Sequence, residues 1–389
     1  MYIGIFVFYY HQLRRSEIYM KNDCVPLTVH LISRFGRGGA ENSIIFLIGD
    51  QTRNNIIFSS GGEGVIGLKK KGISWKKLSF YPSNPVNIFI SFFQLCWAVK
   101  KYNVELIHSH HRFTSLVGNM VARFFRIPFV CTVHDLAFGK QLFSRFALGN
   151  IIIVYSQAVK SHLIKHFGVN PKKIHLVTMV LDTMIEPTQE EYFNLRQQTE
   201  CLLDTQIVCF SGRIVYEKGI DLFLQAIPYV LEKLPNTKFW VIGDGELRLE
   251  MESLAMKLGI TNAITFWGWR DDVSILMGCV DLVVVPSRRE GFGKVALEAL
   301  MLGKPVIATQ IGGLTELIQH EQNGLLIPSE DSNSIAEAIV KLLVKKDEMQ
   351  QMGTTARESV AGKYSIESMR EEIKNICNFA IEQQGSVTS

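Results

Sequence analysis

The sequence has no apolar run long enough to cross a bilayer, and its seven cysteines include no Cys-x-x-Cys pair. A transmembrane helix needs about 20 consecutive apolar residues, so none is predicted. An odd number of scattered cysteines fits neither a disulfide framework nor a structural zinc site, and it favours a reducing compartment. We therefore expect a cytoplasmic protein. The cysteines are Cys24, Cys96, Cys131, Cys201, Cys209, Cys279 and Cys377.

Acidic residues are scarce in the first half of the chain. Up to Ile185 there are 22 Lys and Arg against 8 Asp and Glu, a formal charge of +14, whereas the remainder has 19 against 29, or −10. This asymmetry indicates either that one domain meets an anionic surface or acceptor, or that charge merely differs between two surfaces. No recognition motif accompanies the basic residues, so nucleic acid is not an expected partner.

The first 19 residues contain an apolar run, MYIGIFVFYY, which is followed by Arg14 and Arg15. A secretory signal carries its positive charge before the apolar run, so this stretch does not match one. We interpret residues 1–19 either as an upstream translated stretch or as a weak tether to a membrane surface. The first coherent strand pattern begins only near Leu27.

At 389 residues the chain is long enough for two domains of ordinary size. Short β-branched runs alternate with helical patterns such as Ile220–Lys233 and Leu247–Leu258. This alternation predicts an α/β fold in which each half has a doubly wound parallel sheet with helices on both faces. The predicted strands are Leu27–Ser33, Asn55–Ser59, Leu106–Ser109, Phe129–Val133, Ile151–Tyr155, Gln206–Ser211, Lys238–Ile242, Ala263–Trp267, Leu282–Val285, Val306–Thr309 and Gly324–Ile327.

The segment Asp182–Glu200 is polar, contains Pro187 and lacks a strand pattern, so it is the predicted linker. An amphipathic pattern over Ile366–Gln383 predicts a C-terminal helix. The resulting divisions are an N-terminal extension (1–26), a first domain (27–185), a second domain (186–365) and a final helix (366–389) expected to pack back towards the first domain.

Charged residues follow the predicted strand Gln206–Ser211. Gly212 and Arg213 come directly after it, and Lys218 precedes the next helix. Two cations at the end of a strand, beside a glycine and a helix N-terminus, are suited to neutralise a diphosphate. Two solvated surface cations would give the same local pattern.

The loop after the strand Leu282–Val285 carries one carboxylate, Glu290, and the helix that follows carries another, Glu298. Gly293 and the amides at the helix start allow a ligand to approach the backbone closely. We expect the two carboxylates to accept hydrogen bonds from hydroxyls at two points on an extended ligand, rather than to form a general acid/base pair. Glu298 lies among apolar residues and therefore needs a partner.

In the first half, the predicted strand Leu27–Ser33 leads into a glycine-rich loop, Gly36-Arg37-Gly38-Gly39-Ala40-Glu41. The loop has part of the dinucleotide fingerprint G-x-G-x-x-G, but Glu41 occupies the place of the third glycine. An NAD site is therefore not predicted.

Histidines close two predicted strands: His108, His110 and His111 end one, and His134 ends the next. Alternate residues of a strand share a face, so metal binding is one interpretation. No cluster of thiolates or carboxylates accompanies these histidines, and we expect no metal. The remaining interpretations are a ligand contact or a histidine satisfied within the core.

Together, the motifs Glu290-x7-Glu298, Gly212-Arg213 with Lys218-Gly219, Gly38-Gly39-Ala40-Glu41 and Gly312-Gly313 resemble those of the GT-B retaining glycosyltransferases of family 4. The resemblance covers nearly the whole chain from about Leu27. It implies two facing Rossmann-like domains with a cleft between them, the first (27–185) on the acceptor side and the second (186–365) for the nucleotide-sugar donor. It also implies transfer of a hexose-type sugar from a nucleotide-diphosphate donor with retention and with neither cofactor nor metal. The lack of a D-x-D run at a strand end agrees, and we expect a UDP-sugar rather than a GDP-sugar.

The resemblance further implies roles for individual residues. Arg213 and Lys218 would hold the donor diphosphate, Glu290 the hydroxyls of the donor sugar, and Glu298 those of the ribose. The implied catalytic set is Arg213, Lys218, Glu290 and His134, the last contacting the donor sugar. The implied donor-binding set is Gly38, Gly39, Gly212, Trp269, Phe292, Gly293, Lys294 and Glu298.

The acceptor is expected to be a glycan or a lipid-linked molecule, as in cell-surface polysaccharide or glycolipid synthesis. Lys69–Lys71, Lys76 and Lys77 precede Pro85–Lys101, an apolar stretch with aromatic residues at helical spacing. This combination predicts docking on an anionic membrane surface, unless the helix only covers its own sheet. A nucleotide-sugar epimerase of the same fold and a catalytically silent nucleotide-sugar-binding protein are the alternatives, and no oligomeric state is indicated.

Overall fold

The computed structural model describes residues 27–36, 38–81, 84–136, 145–179, 181, 184–199, 201 and 204–386. The predicted N-terminal extension lies outside the described residues. The chain divides into two compact units. The first comprises Met1–Val154, Leu163–Val177 and Arg370–Ser389, and the second comprises Tyr155–His162 and Thr178–Met369.

The first unit is built on seven parallel strands in the order β3-β2-β1-β4-β5-β6-β7. The chain adds β2 and β3 on one side of β1 and then returns to add β4 on the other side. The order therefore reverses between β1 and β4, as in a doubly wound fold. The strands are β1 (Thr28–Leu31), β2 (Asn55–Ser59), β3 (Ser74–Lys77), β4 (Leu106–Ser109), β5 (Phe129–Val133), β6 (Ile151–Val154) and β7 (Ile174–Leu176).

Helices connect these strands. The helices up to the second unit are α1 (Gly39–Ile48), α2 (Val65–Lys70), α3 (Pro85–Tyr102), α4 (Arg112–Phe125) and α5 (Gln157–Phe167). A last helix, α14 (Ile366–Ser386), returns to the first unit, where Arg370 Nε donates a hydrogen bond to the carbonyl oxygen of Phe46 at 2.7 Å. No helix among the described residues is long and apolar enough to cross a membrane.

The second unit has six parallel strands in the order β10-β9-β8-β11-β12-β13, and its order reverses between β8 and β11. The strands are β8 (Gln206–Ser211), β9 (Thr237–Ile242), β10 (Ile264–Gly268), β11 (Leu282–Val285), β12 (Val306–Thr309) and β13 (Gly324–Ile327). The helices are α6 (Gln189–Gln198), α7 (Ile220–Lys233), α8 (Arg248–Lys257), α9 (Val273–Gly278), α10 (Lys294–Met301), α11 (Leu314–Leu317), α12 (Ser332–Val344) and α13 (Lys346–Val360).

The central strands are continuous apolar runs because helices cover both faces of each sheet. Successive side chains of β8 show this arrangement. Val208 and Phe210 join one buried cluster, whereas Ile207 and Cys209 join the cluster on the opposite face. Both faces of the sheet are therefore packed, and the loops at the strand ends are left to form a site.

The structure confirms the predicted α/β class, with a doubly wound parallel sheet in each unit. Seven predicted strands have the observed bounds, and the other four differ by at most two residues at an end. The sequence analysis missed β3 and β7, which are the two edge strands of the first sheet. β3 is polar and largely exposed, and β7 has only three residues, of which Leu176 is exposed, so neither shows the buried apolar run used to identify strands.

The segment predicted as a linker contains α6 instead of only irregular chain. Thr188 caps this helix, because its hydroxyl accepts a hydrogen bond from the amide of Glu191 at 3.2 Å. Leu195 and Arg196 on the helix are buried. The chain passes from the first unit to the second at Val177–Thr178, before the predicted boundary at Ile185.

Candidate functional site

The loops after β8 and β11 lie side by side in the second unit. The two strands pair in parallel, with Leu282 opposite Val208, and they flank the point where the strand order reverses. Ligands of doubly wound sheets bind beyond the carboxyl ends of the strands at such a point. The two loops are therefore the candidate ligand-binding site of this unit.

An ion pair joins the two loops. Lys218 Nζ lies 2.6 Å from Glu290 Oε2, and the Ser287 hydroxyl donates a hydrogen bond to the same oxygen at 3.3 Å. The side chains of Lys218 and Glu290 are only 24% and 13% exposed. The fold thus brings together two predicted site residues that are 72 positions apart in the chain.

Backbone contacts hold the same loops together. The amides of Arg288 and Arg289 donate hydrogen bonds to the carbonyl oxygen of Glu217, at 2.8 and 3.3 Å. Gly219, with φ +67°, approaches the carbonyl of Pro286 so closely that a Cβ would overlap its oxygen. The position of Lys218 is therefore fixed relative to the loop that carries Glu290.

Arg288 forms ion pairs that hold the loop after β11 to neighbouring segments, and the sequence analysis did not identify it. Its guanidinium binds both carboxylate oxygens of Asp221, at 2.6 and 2.8 Å, and Glu330 Oε1 at 2.7 Å. Hydrogen bonds to Asp221, and then to Glu330, raise the pKa of Arg288. Because its donors are engaged by carboxylates on α7 and after β13, Arg288 supports the site and is not a cation available to a ligand.

Arg213 contrasts with Arg288. Its side chain is exposed, and no described residue forms an ion pair with it. Gly212, with φ +143°, donates its amide hydrogen to the carbonyl of Ile242 at 2.9 Å, and Gly243 packs so closely that a Cβ there would overlap the carbonyl oxygen of Gly212. Arg213 is thus an exposed cation on a closely packed turn, next to the Lys218–Glu290 pair in sequence.

Glu298 is paired separately from Glu290. It lies on α10, where Lys294 Nζ is 3.3 Å from its Oε1, one helical turn away. Gly293 starts this helix with φ +103°, and Phe292 packs against the buried cluster that includes Leu314. The two predicted carboxylates therefore have different partners, as two separate contact points on a ligand require.

Two tryptophans at the carboxyl end of β10, Trp267 on the strand and Trp269 directly after it, have different surroundings. Trp267 packs edge-to-face against buried Trp240, with ring centroids 5.2 Å apart, and Arg270 lies over its ring at 5.3 Å. Trp269 is 42% exposed. Of the two, Trp269 is the more exposed ring and therefore the better placed to contact a ligand.

In the first unit, four histidines cluster at the carboxyl ends of β1, β4 and β5. His30 on β1 is opposite His108 on β4 in the strand register, and His110 and His134 follow β4 and β5. His110 Nε2 lies 3.2 Å from His30 Nδ1, and His134 Nε2 lies 3.4 Å from His110 Nδ1. The sequence analysis did not include His30, which enters the cluster only through strand pairing.

Burial determines the charge state of these rings. It lowers the pKa of His30 to about 4 and that of His134 to about 3. Burial, with repulsion from neighbouring imidazoles, lowers the pKa values of His108 and His110 well below 6.5. The four rings are therefore neutral near pH 7.

The same cluster contains the group of residues best spaced to hold a metal in the described part of the chain. His30, His108 and His110 each offer a ring nitrogen within 4.8 Å of the others. However, His30 and His110 hydrogen-bond to each other, and His108 Nε2 bonds the Thr132 hydroxyl at 2.7 Å. The expectation of no metal stays a prediction.

The glycine-rich loop after β1 is closed by a carboxylate. Glu41 accepts hydrogen bonds from the amides of Gly36 and Gly38, at 3.0 and 3.1 Å, and Gly39 begins α1. A diphosphate that approached Gly38 would have to share or displace the bond to Glu41. Arg37 lies outside the described residues.

A cavity of about 620 Å³ lies elsewhere in the second unit, at the amino ends of β8, β11 and β12. Burial raises the pKa of Asp281 and lowers that of Lys304, two of its lining residues. The cavity includes none of the predicted site residues, which lie at the carboxyl ends of the strands.

Comparisons with known proteins agree with this geometry. Residues 192–359 match the family model of glycosyl transferases group 1, and residues 37–183 match that of glycosyltransferase family 4. An uncharacterised glycosyltransferase of Methanocaldococcus jannaschii is 30% identical over 307 residues, which cover 74% of this chain and 78% of the relative. A D-inositol 3-phosphate glycosyltransferase of Corynebacterium kroppenstedtii is 29% identical over 314 residues, covering 73% and 69%.

Two solved structures have the same fold. Anabaena HepE in complex with UDP and glucose superimposes with a TM-score of 0.82 at 21% identity, covering 90% of this chain and 99% of that one. Sucrose-phosphate synthase from Thermosynechococcus elongatus gives a TM-score of 0.75 at 21% identity, covering 93% and 100%.

Proposed function

Because the chain belongs to the group 1 glycosyltransferases and has the two Rossmann-like units of the GT-B fold, we propose that it is a retaining hexosyltransferase. Its donor is a nucleotide-diphosphate sugar, with UDP as the nucleotide. The observation that carries this proposal is the Lys218–Glu290 pair at the point where the strand order of the second unit reverses, with exposed Arg213 on the same loop as Lys218.

The charges of this pair match the charges that develop during glycosyl transfer. The sugar gains positive charge as the bond to the diphosphate breaks, and the departing diphosphate gains negative charge. Arg213 and Lys218 stabilise the diphosphate, and Glu290 accepts hydrogen bonds from hydroxyls of the sugar. Groups that bind the transition state more strongly than the ground state increase the rate.

Retention is supported by the family resemblance, and it is tested by the anomeric configuration of the product. We expect NMR of a product made from an α-linked donor to show an α linkage. A β linkage would contradict the retaining assignment. A nucleotide-sugar epimerase would instead convert the donor when no acceptor is present, and a silent binding protein would leave it intact under all conditions.

Glu290→Ala and Glu298→Ala should have different effects. We expect Glu290→Ala to abolish transfer and to leave the affinity for UDP within about threefold, since Glu290 contacts the sugar. Glu298→Ala should weaken UDP binding about tenfold or more, because a charge-assisted hydrogen bond to the ribose is lost. Isothermal titration calorimetry with UDP measures both.

The pair Arg248–Glu252, whose side chains are 22% and 38% exposed, supplies a matched control, because Glu252 also lies one helical turn from its cation. Glu252→Ala should leave UDP affinity unchanged. Equal losses of UDP affinity in the Glu290 and Glu298 variants would contradict the assigned roles.

We also propose that the first unit docks on an anionic membrane surface to reach a lipid-linked acceptor in glycan or glycolipid synthesis. Helix α3 supports this proposal, because it has two apolar faces. Leu95, Ala98 and Val99 are buried against the unit, whereas Phe89, Phe93 and Trp97 are 56 to 67% exposed. The helix therefore covers its own sheet and still presents an aromatic stripe to the surroundings.

Exposed lysines of the same unit complement the stripe. Lys69–Lys71 end α2, Lys76 and Lys77 lie on β3, and Lys101 Nζ lies 4.3 Å from the ring of Trp97. Basic residues near an anionic leaflet contribute about 1 kcal/mol each, and aromatic rings anchor at the interface. The two features together favour a membrane over a soluble acceptor.

Co-sedimentation with liposomes tests this surface. We expect binding to vesicles rich in phosphatidylglycerol at low salt, weaker binding at high salt, and a loss on the order of a hundredfold when Lys69, Lys70 and Lys71 become Glu. A control in the second unit that changes Lys257, Lys341 and Lys346 to Glu alters the net charge equally and should bind normally. Absence of binding to acidic vesicles at low salt would contradict the membrane proposal and leave a soluble acceptor.

A further inference from the structure

The cavity of about 620 Å³ at the amino ends of β8, β11 and β12 is lined only by residues of the second unit. Its volume lies within the range of small-molecule sites. The candidate donor loops follow the carboxyl ends of β8 and β11, so the length of these strands separates the cavity from them. The charged residues of the lining are Arg196, Asp204, Asp281, Lys304, Lys346, Arg357 and Glu358.

The charges of the lining balance at its outer edge but not in its interior. The exposed charged residues are two cations and two carboxylates, Lys346, Arg357, Asp204 and Glu358. In the interior, Arg196 is 3% exposed, and Lys304 and Asp281 are partly buried. Two cations and one carboxylate leave the interior with a formal excess of one positive charge.

Two of the cations are engaged by the protein itself. Arg196 donates hydrogen bonds from Nη1 to the Tyr192 hydroxyl at 2.9 Å and from Nη2 to the carbonyl oxygen of Thr205. At the outer edge, Arg357 Nη2 lies 2.6 Å from Glu186 Oε1. These two guanidinium groups therefore hold the walls of the cavity together.

The ammonium group of Lys304 is different, because no described residue forms a hydrogen bond or an ion pair with its Nζ. Burial lowers the pKa of Lys304, and the attraction of Asp281 offsets only part of that effect. The carboxylate of Asp281 accepts a hydrogen bond from the amide of Ile207 at 2.7 Å instead. A partly buried charge without a partner costs stability, and an anion that paired with Lys304 would remove that cost.

We propose that this cavity binds a small anion, a phosphate or a carboxylate, whose charged group pairs with Lys304. An ammonium group is a point charge with three donors, so it accepts either anion. Exposed Lys346 adds attraction at the outer edge. The site is separate from the candidate donor loops, and the proposal stands whether or not the chain transfers a sugar.

The stability of Lys304→Met tests whether the lysine serves the fold. In dilute Tris chloride at pH 7.5, we expect this variant of the full chain to have a Tm about 2 °C or more above that of the parent, because methionine fills a similar volume without a buried charge. Lys257→Met, at an exposed position of α8, removes the same charge and should leave Tm unchanged. A lower Tm for Lys304→Met would overturn the proposal, since Lys304 would then stabilise the ligand-free fold.

Competitive labelling tests anion binding at Lys304 itself and needs no variant. Trace acetic anhydride acetylates the lysines of the parent protein, and mass spectrometry of the digest gives a rate for each. At constant ionic strength, saturating orthophosphate or succinate should slow acetylation of Lys304 about fivefold or more and leave that of Lys257 unchanged. Protection by only one of the two anions would assign the ligand to that class, and protection by neither would overturn the proposal.

Lys218→Ala separates this site from the candidate donor loops. Orthophosphate should still protect Lys304 in that variant, because the cavity does not include Lys218. Loss of the protection would mean that the anion acts from the donor loops, and the proposal would be wrong. In the parent protein, UDP should protect Lys218. Failure of that protection would contradict the proposed function and leave the anion site standing.

Discussion

Lys218→Ala is expected to lower the turnover number by on the order of a hundredfold or more, the usual cost of removing one charge-stabilising group from a transition state. The variant removes a cation from the departing diphosphate and leaves Glu290, which is 13% exposed, without its partner. Arg213→Ala should lower turnover comparably. Its side chain is exposed, so that variant should keep the thermal stability of the parent.

Lys341→Ala is the matched control. Its ion pair with Glu321 has the same 2.6 Å length, but both side chains are about half exposed, and the variant should retain full turnover. Excess EDTA should leave the parent enzyme active, because the proposed role of these cations is to neutralise the diphosphate without a divalent metal. Restoration of EDTA-treated enzyme by magnesium or manganese would contradict both the role of the cations and the proposed metal independence.

Mild acid is expected to destabilise the first unit through its histidine cluster. The folded-state pKa values of His30, His108, His110 and His134 lie below the ordinary 6.5, and those of His30 and His134 are about 4 and about 3. Between pH 6.5 and about 4 the unfolded chain therefore binds more protons than the folded chain. Stability is greatest above pH 6.5 and falls as the pH drops, by about 1.4 kcal/mol per pH unit for each histidine.

With four histidines the loss at pH 5.5 is on the order of 5 kcal/mol, a large part of the stability of an ordinary domain. Hydrogen exchange of peptides covering β1 and β4, at pH 7.5 and 5.5 and corrected for intrinsic rates, measures it. His108→Gln should make the pH dependence shallower by one proton, whereas His166→Gln, an exposed position, should not. Equal protection at both pH values would contradict this prediction, because protonation of the buried rings would then leave the free energy of unfolding unchanged.

The central strands were predictable because a buried parallel strand reads as an apolar run whatever its neighbours are. The edge strand Ser74–Lys77 was not, since its serine and lysines are exposed and only pairing with β2 makes it a strand. The helix Gln189–Gln198 was missed because its composition is polar, although Thr188 and Glu191 form a recognisable capping pair.

The candidate site was predictable to a different degree. Motif spacing identified Lys218 and Glu290 separately, but their contact spans 72 residues and depends on the pairing of β8 with β11. His30 gave no signal, because its place beside His108 follows from the register of β1 and β4. Residues that act through neighbours across a sheet are hidden in a single sequence, whereas residues that follow a strand directly are not.

Close backbone contacts within the loops of the second unit limit which positions can be mutated to change donor preference. Gly219 against Pro286, and Gly243 against Gly212, leave no room for a side chain. Randomising these glycines in a mutant library would mainly yield misfolded members. Diversity is better introduced at surface positions such as Trp269, whose side chain is 42% exposed. A library confined to such positions should keep a high fraction of folded clones, and screening effort then goes to sugar and nucleotide preference.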